Sequence, residues 1–261
     1  MHLAPSPTSN LCDLQGWSPV TGEWVALSGG LAGFVFTGIV FILSSSKKKA
    51  RTENSSYVLK LLITSFFSLT IIAYLFSTLS GEKICARAAT AHEFLGSVLA
   101  SATISMIVAL SWMIEELYKT RDFGVLNFLH AIIYFTLLLT VAMLLLSAIS
   151  YVNGMRPNER HYIATLLMIT FTAICLIAYA ILMFVKHRKT SWPYGSFVSL
   201  LTWGTLAQLT VASIATIATL SFPPSSWAPQ PSSGVVYLAA SAALVIPTIV
   251  LGISIGAVAR R

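Results

Sequence analysis

The sequence predicts an all-α integral membrane protein of seven transmembrane helices, with its N-terminus outside and its C-terminus in the cytoplasm. Composition is the first observation behind this reading: 56% of the 261 residues are hydrophobic and 10% charged, against about 25% charged in soluble domains. The second is length. The apolar residues fall into seven stretches, each close to the roughly 20 residues a helix needs to cross a hydrocarbon core of about 30 Å. The third is charge, because the basic residues alternate between two sets of connectors. Helices are the open-chain solution in lipid, since each satisfies its own backbone groups, and no period-two alternation suggests a barrel.

Residues 1–23 read as an extracytoplasmic tail and 24–261 as a single seven-helix bundle. The tail lacks the basic start and apolar core of a cleavable leader, so the first span, 24–43, is expected to act as its own targeting signal. That span carries Gly29, Gly33 and Thr37 at four-residue steps, a small-residue stripe suited to close helix approach. Lys47, Lys48, Lys49 and Arg51 follow it. The second span, 57–79, includes Lys60, whose ammonium can snorkel back to the interface. Lys83 and Arg87 occupy the next connector.

The third span, 92–118, is the most polar. At about 100° per residue Glu93, Ser97, Ser101, Trp112 and Glu115 share one face. A carboxylate near each end of a hydroxyl stripe suits a proton or cation path, whereas the same small residues equally serve tight packing. After Lys119 and Arg121 comes the fourth span, 125–152, with His130 at the depth of Glu115 across a short hairpin. The two can pair, as a relay or as a structural clasp. The connector after the fourth span holds Arg156 and Arg160. Span five, 161–185, carries Cys175 and ends in Lys186, Arg188 and Lys189. Span six, 197–220, aligns Thr205, Gln208, Ala212, Ala215 and Thr219 on one stripe, and Gln208 needs a partner in hydrocarbon. Span seven, 234–258, places Gly252 and Gly256 after Pro247 and is followed by Arg260 and Arg261. Gly29, Gly33, Gly252 and Gly256 are the helix-packing candidates.

The connectors after spans one, three, five and seven hold most of the basic residues, which sets the orientation. The plasma membrane is the expected location. The net charge of +7 sits at span ends, so phospholipid headgroups, and not nucleic acid, are its expected partners. Cys12 and Cys85 fall on the same, oxidising side, where a disulfide would tie the tail over the outer mouth of the bundle.

No motif names a reaction, and no cofactor or metal-ligand spacing is present. The third span ends Glu115-Glu116-Leu117-Tyr118 without Asp-Arg-Tyr, and the seventh has neither Asn-Pro-x-x-Tyr nor a lysine for a retinal Schiff base. No nucleophile, base and orienting group converge. The favoured reading is a non-enzymatic subunit or accessory factor of a membrane complex, with other membrane proteins or further copies of itself as partners. The alternatives are a small channel or proton-coupled transporter using Glu93, Glu115, His130 and Gln208, and a seven-helix ligand-sensing receptor.

Overall fold

The computed structural model describes residues 21–45, 53–118, 123–155, 166, 170, 194–227 and 232–258. They form α1 (Thr21–Ser45), α2 (Glu53–Leu79), α3 (Cys85–Tyr118), α4 (Phe123–Met155), α5 (Tyr194–Ser221), a 3-10 turn (Pro224–Trp227) and α6 (Ser233–Val258). No strand occurs among the described residues. Five stretches are long and apolar enough to cross a membrane, namely Gly22–Ser44, Ser55–Leu79, Cys85–Ile114, Val198–Ser221 and Ser233–Val250. Within α4, Ala142–Met155 forms a shorter apolar segment. The predicted spans one to four, six and seven therefore correspond to α1 to α6. The predicted fifth span lies outside the described residues apart from Leu166 and Thr170, as do Cys12 and Cys175.

One boundary differs from expectation for a physical reason. The helix predicted from residue 92 begins at Cys85, so Arg87, which reads in sequence as a connector charge, lies in its first turn. The guanidinium is tolerated there because Glu82 neutralises it: Arg87 Nη1 donates to Glu82 Oε2 at 3.0 Å. The other oxygen of Glu82 accepts from the Ile84 backbone N–H at 2.9 Å. Arg87 Nη2 crosses to the backbone carbonyl of Phe222, at the end of α5.

α3 is the hub. It packs against α2, α4, α5 and α6, while α2 touches α5, α5 touches α6 and α6 touches α4, so these four surround it. α1 lies on the outside of α2. Along α3, rising residue number meets falling residue number on α4 (Thr90 with Tyr151, Glu93 with Ser147) and on α5 (Arg87 with Phe222, Ser105 with Thr205). Both neighbours thus run antiparallel to α3 and parallel to each other. The chain leaves α4 at the Arg87 end of the bundle and enters α5 at the opposite end.

The interior is apolar between its polar contacts. Leu61, Leu69, Ile72 and Phe76 of α2 meet Leu95, Val98, Ile104 and Trp112 of α3, all essentially inaccessible. α6 turns Ala239, Ala240 and Ala243 inward, and side chains this small let backbones approach closely. One approach leaves no slack: a Cβ on Gly195, at the start of α5, would lie 2.7 Å from the Tyr57 hydroxyl of α2. The outside carries Phe34, Phe67, Tyr74, Phe135, Trp203, Ile214 and Leu238, all exposed and spread over α1, α2, α4, α5 and α6. Such continuous apolar surface exceeds what a soluble monomer shows and matches hydrocarbon.

Candidate functional site

The residues that could carry chemistry line the inner face of α3. Arg87, Thr90, Glu93, Ser97, Ser101 and Ser105 recur at three- and four-residue steps, which puts them on one side of the helix. From Arg87 to Ser105 the stripe rises about 27 Å, close to the thickness of the hydrocarbon core. Every one of these side chains is buried.

Each turn of the stripe reaches another element. Below the Arg87 ion pair, the Thr90 hydroxyl donates to the Ala86 carbonyl at 2.7 Å and also meets the Tyr151 hydroxyl of α4 at 2.7 Å. With its proton committed to Ala86, Thr90 is left to accept from Tyr151. Ser147, one turn before Tyr151 on α4, donates to Glu93 Oε1 at 2.7 Å. One turn further along α3, the Ser97 hydroxyl donates to the Phe94 carbonyl at 2.7 Å and accepts from Gln208 Nε2 of α5 at 3.2 Å. Ser101 donates to the Ser97 carbonyl at 3.2 Å. Ser105 and Thr205 of α5 join hydroxyl to hydroxyl at 3.1 Å. This arrangement clasps α3 to α4 at two levels and to α5 at three.

Polar demands remain unmet inside this clasp at Glu93 and Gln208, besides Arg87 Nε, which has no acceptor. Glu93 is 4% exposed, and among the described residues the salt bridge is Arg87 to Glu82, so the Glu93 carboxylate has a hydroxyl partner and no cation. Gln208 is 3% exposed, and its Oε1 has no hydrogen-bond donor. The neighbouring His92 belongs to a different environment, set edge-on to Trp24 of α1 at 5.3 Å between ring centres and tilted against Phe76 of α2 at 5.5 Å.

The sequence-derived candidates are distributed unevenly over this geometry. Glu93 and Gln208 both belong to the α3 seam, Gln208 through its bond to Ser97 one turn beyond Glu93. Glu115 lies near the end of α3 and His130 on α4, their side chains outside the described part, so the expected pairing between them stays an expectation. Gly252 and Gly256 lie on α6 beyond Pro247. Gly29 and Gly33 are exposed on α1, and a Cβ added at either would meet nothing within 4 Å. Reading the sequence missed Arg87, Thr90, Tyr151 and Ser147. The available signal was Ser147 and Tyr151 at i and i+4 in the last turns of the fourth span, a polar pair that needs a partner helix. No group of three or more His, Cys, Asp or Glu side chains able to hold a metal occurs among the described residues.

Membrane-length apolar helices, a lipid-compatible exterior and interhelical polar bonds in place of a charged surface define a multi-pass integral membrane protein. Comparison with known protein families, with curated proteins and with solved structures finds no match to this chain.

Proposed function

We propose that the chain is a non-enzymatic subunit or accessory factor of a membrane complex, joined to its partner through α1. The observation that carries this reading is the two-sided character of that helix. Ser28, Ala32, Val35 and Ile42 are buried toward the bundle, whereas Gly29, Gly33 and Thr37 form an exposed stripe on another face. Thr37 donates to the Gly33 carbonyl at 3.0 Å, so its hydroxyl stays on the helix surface. Lipid gains nothing from a stripe of small residues, while a second helix gains close backbone contact there. The interhelical pairs Thr90–Tyr151, Glu93–Ser147, Ser97–Gln208 and Ser105–Thr205 help to hold the bundle together.

Seven spans complete the proposed architecture. The parallel course of α4 and α5 supports this, because the 38 residues at positions 156–193 have to connect opposite ends of the bundle and the apolar stretch 161–185 is long enough to do so. The basic connectors then lie at the end opposite Arg87, which we take as cytoplasmic, in a plasma membrane. Cys85 stands at the start of α3. Of the other two cysteines, Cys175 belongs to the proposed fifth span and Cys12 to the tail preceding α1 at the Arg87 end. We therefore propose a bridge between Cys12 and Cys85, tying the tail across that end.

Native mass spectrometry of the protein extracted in mild detergent from its own membranes tests the partner reading. A stoichiometric partner, a second copy included, should be retained in a Trp203→Leu control on the lipid-facing side of α5. It should be lost from Gly29→Leu/Gly33→Leu, with monomer size and helix content unchanged. Retention of the partner in the double leucine variant, or a wild-type protein that is always a lone monomer, would remove the proposal.

A further inference from the structure

We propose that Glu93 is the carboxylate of a binding site for one monovalent cation, a proton or a sodium ion, inside the bundle. This goes beyond the α1 surface and does not depend on it.

Charge is the first argument. An isolated carboxylate in a low-dielectric interior is far more costly than a neutral or paired group, and Glu93 has nothing in the described chain to neutralise it. The basic and titratable groups of each surrounding element are otherwise engaged or distant. On α3 itself, Arg87 is six residues away, about 9 Å along the axis, and its two terminal nitrogens are committed to Glu82 and the Phe222 carbonyl. His92 turns to Trp24 and Phe76. α4 offers Tyr151, which binds Thr90, and has His130 and Tyr134 toward its other end. α5 and α6 contain no acidic, basic or histidine residue at all, Tyr194 and Tyr237 being their titratable side chains. α2 brings Lys60 at the opposite end of the bundle, and α1 brings Glu23, an exposed acid. A single negative charge without a countercharge calls for a single positive one. A divalent ion would leave the excess on the other side.

The donor set is the second argument. Oxygen atoms are the ligands of hard cations and the natural hosts of a proton, and oxygens dominate this part of the seam: Glu93 itself, Ser147 Oγ against it, Ser97 Oγ on the next turn, and the Oε1 of Gln208. That last atom is the independent sign of a missing ligand. It is a carbonyl oxygen on a side chain 97% removed from solvent, it has no donor, and its own amide nitrogen is fixed to Ser97. A buried acceptor left without a donor is disfavoured unless something occupies it in the working state.

Carbodiimide labelling of the full-length protein in mild detergent, with the modified residue mapped by mass spectrometry, tests the site. A carbodiimide adds to a carboxyl group in its protonated form and leaves a stable N-acylurea. The labelling of Glu93 should be absent in Glu93→Gln, an isostere that keeps an oxygen for Ser147, and that variant should retain wild-type helix content and elution volume. In sodium-free choline chloride, labelling should decline with rising pH, by about tenfold per unit above its midpoint, the behaviour of one proton. If sodium chloride at fixed pH suppresses labelling where choline chloride does not, the site takes sodium; if it has no effect, the site takes the proton. Either result upholds the proposal. Labelling that neither pH nor sodium alters overturns it, as does an unlabelled Glu93 at every pH in protein that is labelled there once unfolded in SDS.

Discussion

Replacing Gln208 with leucine should make the cation-free protein more stable, although it deletes a hydrogen bond between helices. The amide nitrogen makes a single bond to Ser97 at 3.2 Å, and an interhelical bond of this kind contributes about 0.6 kcal/mol in a membrane. Ser97 loses little, since its own proton already goes to the Phe94 carbonyl at 2.7 Å. Against that stands Oε1, buried without a donor, a burden of about 1–3 kcal/mol. Leucine is close to glutamine in size, so no large cavity opens. The difference is a gain of about 0.5–2 kcal/mol, or roughly 1–8 °C in midpoint for a chain of this length. SDS titration in maltoside micelles, followed by circular dichroism in sodium-free buffer at elevated pH, measures it. A loss of about 1 kcal/mol or more would refute the reasoning, because the amide would then be contributing more than the Ser97 bond. If the Glu93 site exists, the same substitution should weaken sodium protection or shift the pH midpoint of labelling while raising stability.

Two further perturbations test other parts of the framework. Arg87→Met should destabilise by about 3 kcal/mol, the lower end of the range for stranding one partner of a buried pair; adding Glu82→Gln should restore part of it in the same SDS titration, and additive losses would show that the two side chains are not coupled. Gly195→Ala should reduce the thermal midpoint because its Cβ would sit 2.7 Å from the Tyr57 hydroxyl; Tyr57→Phe removes that atom and should recover most of the loss, whereas no recovery would place the strain elsewhere.

The helices were legible in the sequence because apolar length is a local property. Residues 57–79 and 197–220 announce their spans without reference to anything else in the chain. The start of α3 was not legible, because Arg87 reads as a connector charge until Glu82 and the Phe222 carbonyl are seen to neutralise it. Helical periodicity correctly gathered Glu93, Ser97 and Ser101 on one face, but it gives no information about what faces them. Ser147, Tyr151 and Gln208 came to the seam through tertiary arrangement alone. The glycines show the same limit from the other side. Spacing marks Gly29 and Gly33 as suited to close contact, yet only the packing of α1 shows them turned away from the rest of the bundle.

The central position of α3 also has a bearing on how the protein is made. Apart from Glu82, which binds Arg87, synthesis delivers this helix before the groups that later bond to its stripe: Ser147 and Tyr151 arrive with α4, and Thr205, Gln208 and the Phe222 carbonyl only with α5. A nascent chain that has inserted its first three helices thus holds a buried-face carboxylate and a row of hydroxyls, bonded only to their own helix, whose interhelical partners have not yet been made. The half-made protein carries its own mark of incompleteness. That mark is erased stepwise as the C-terminal half docks and covers the helix that the finished molecule hides best.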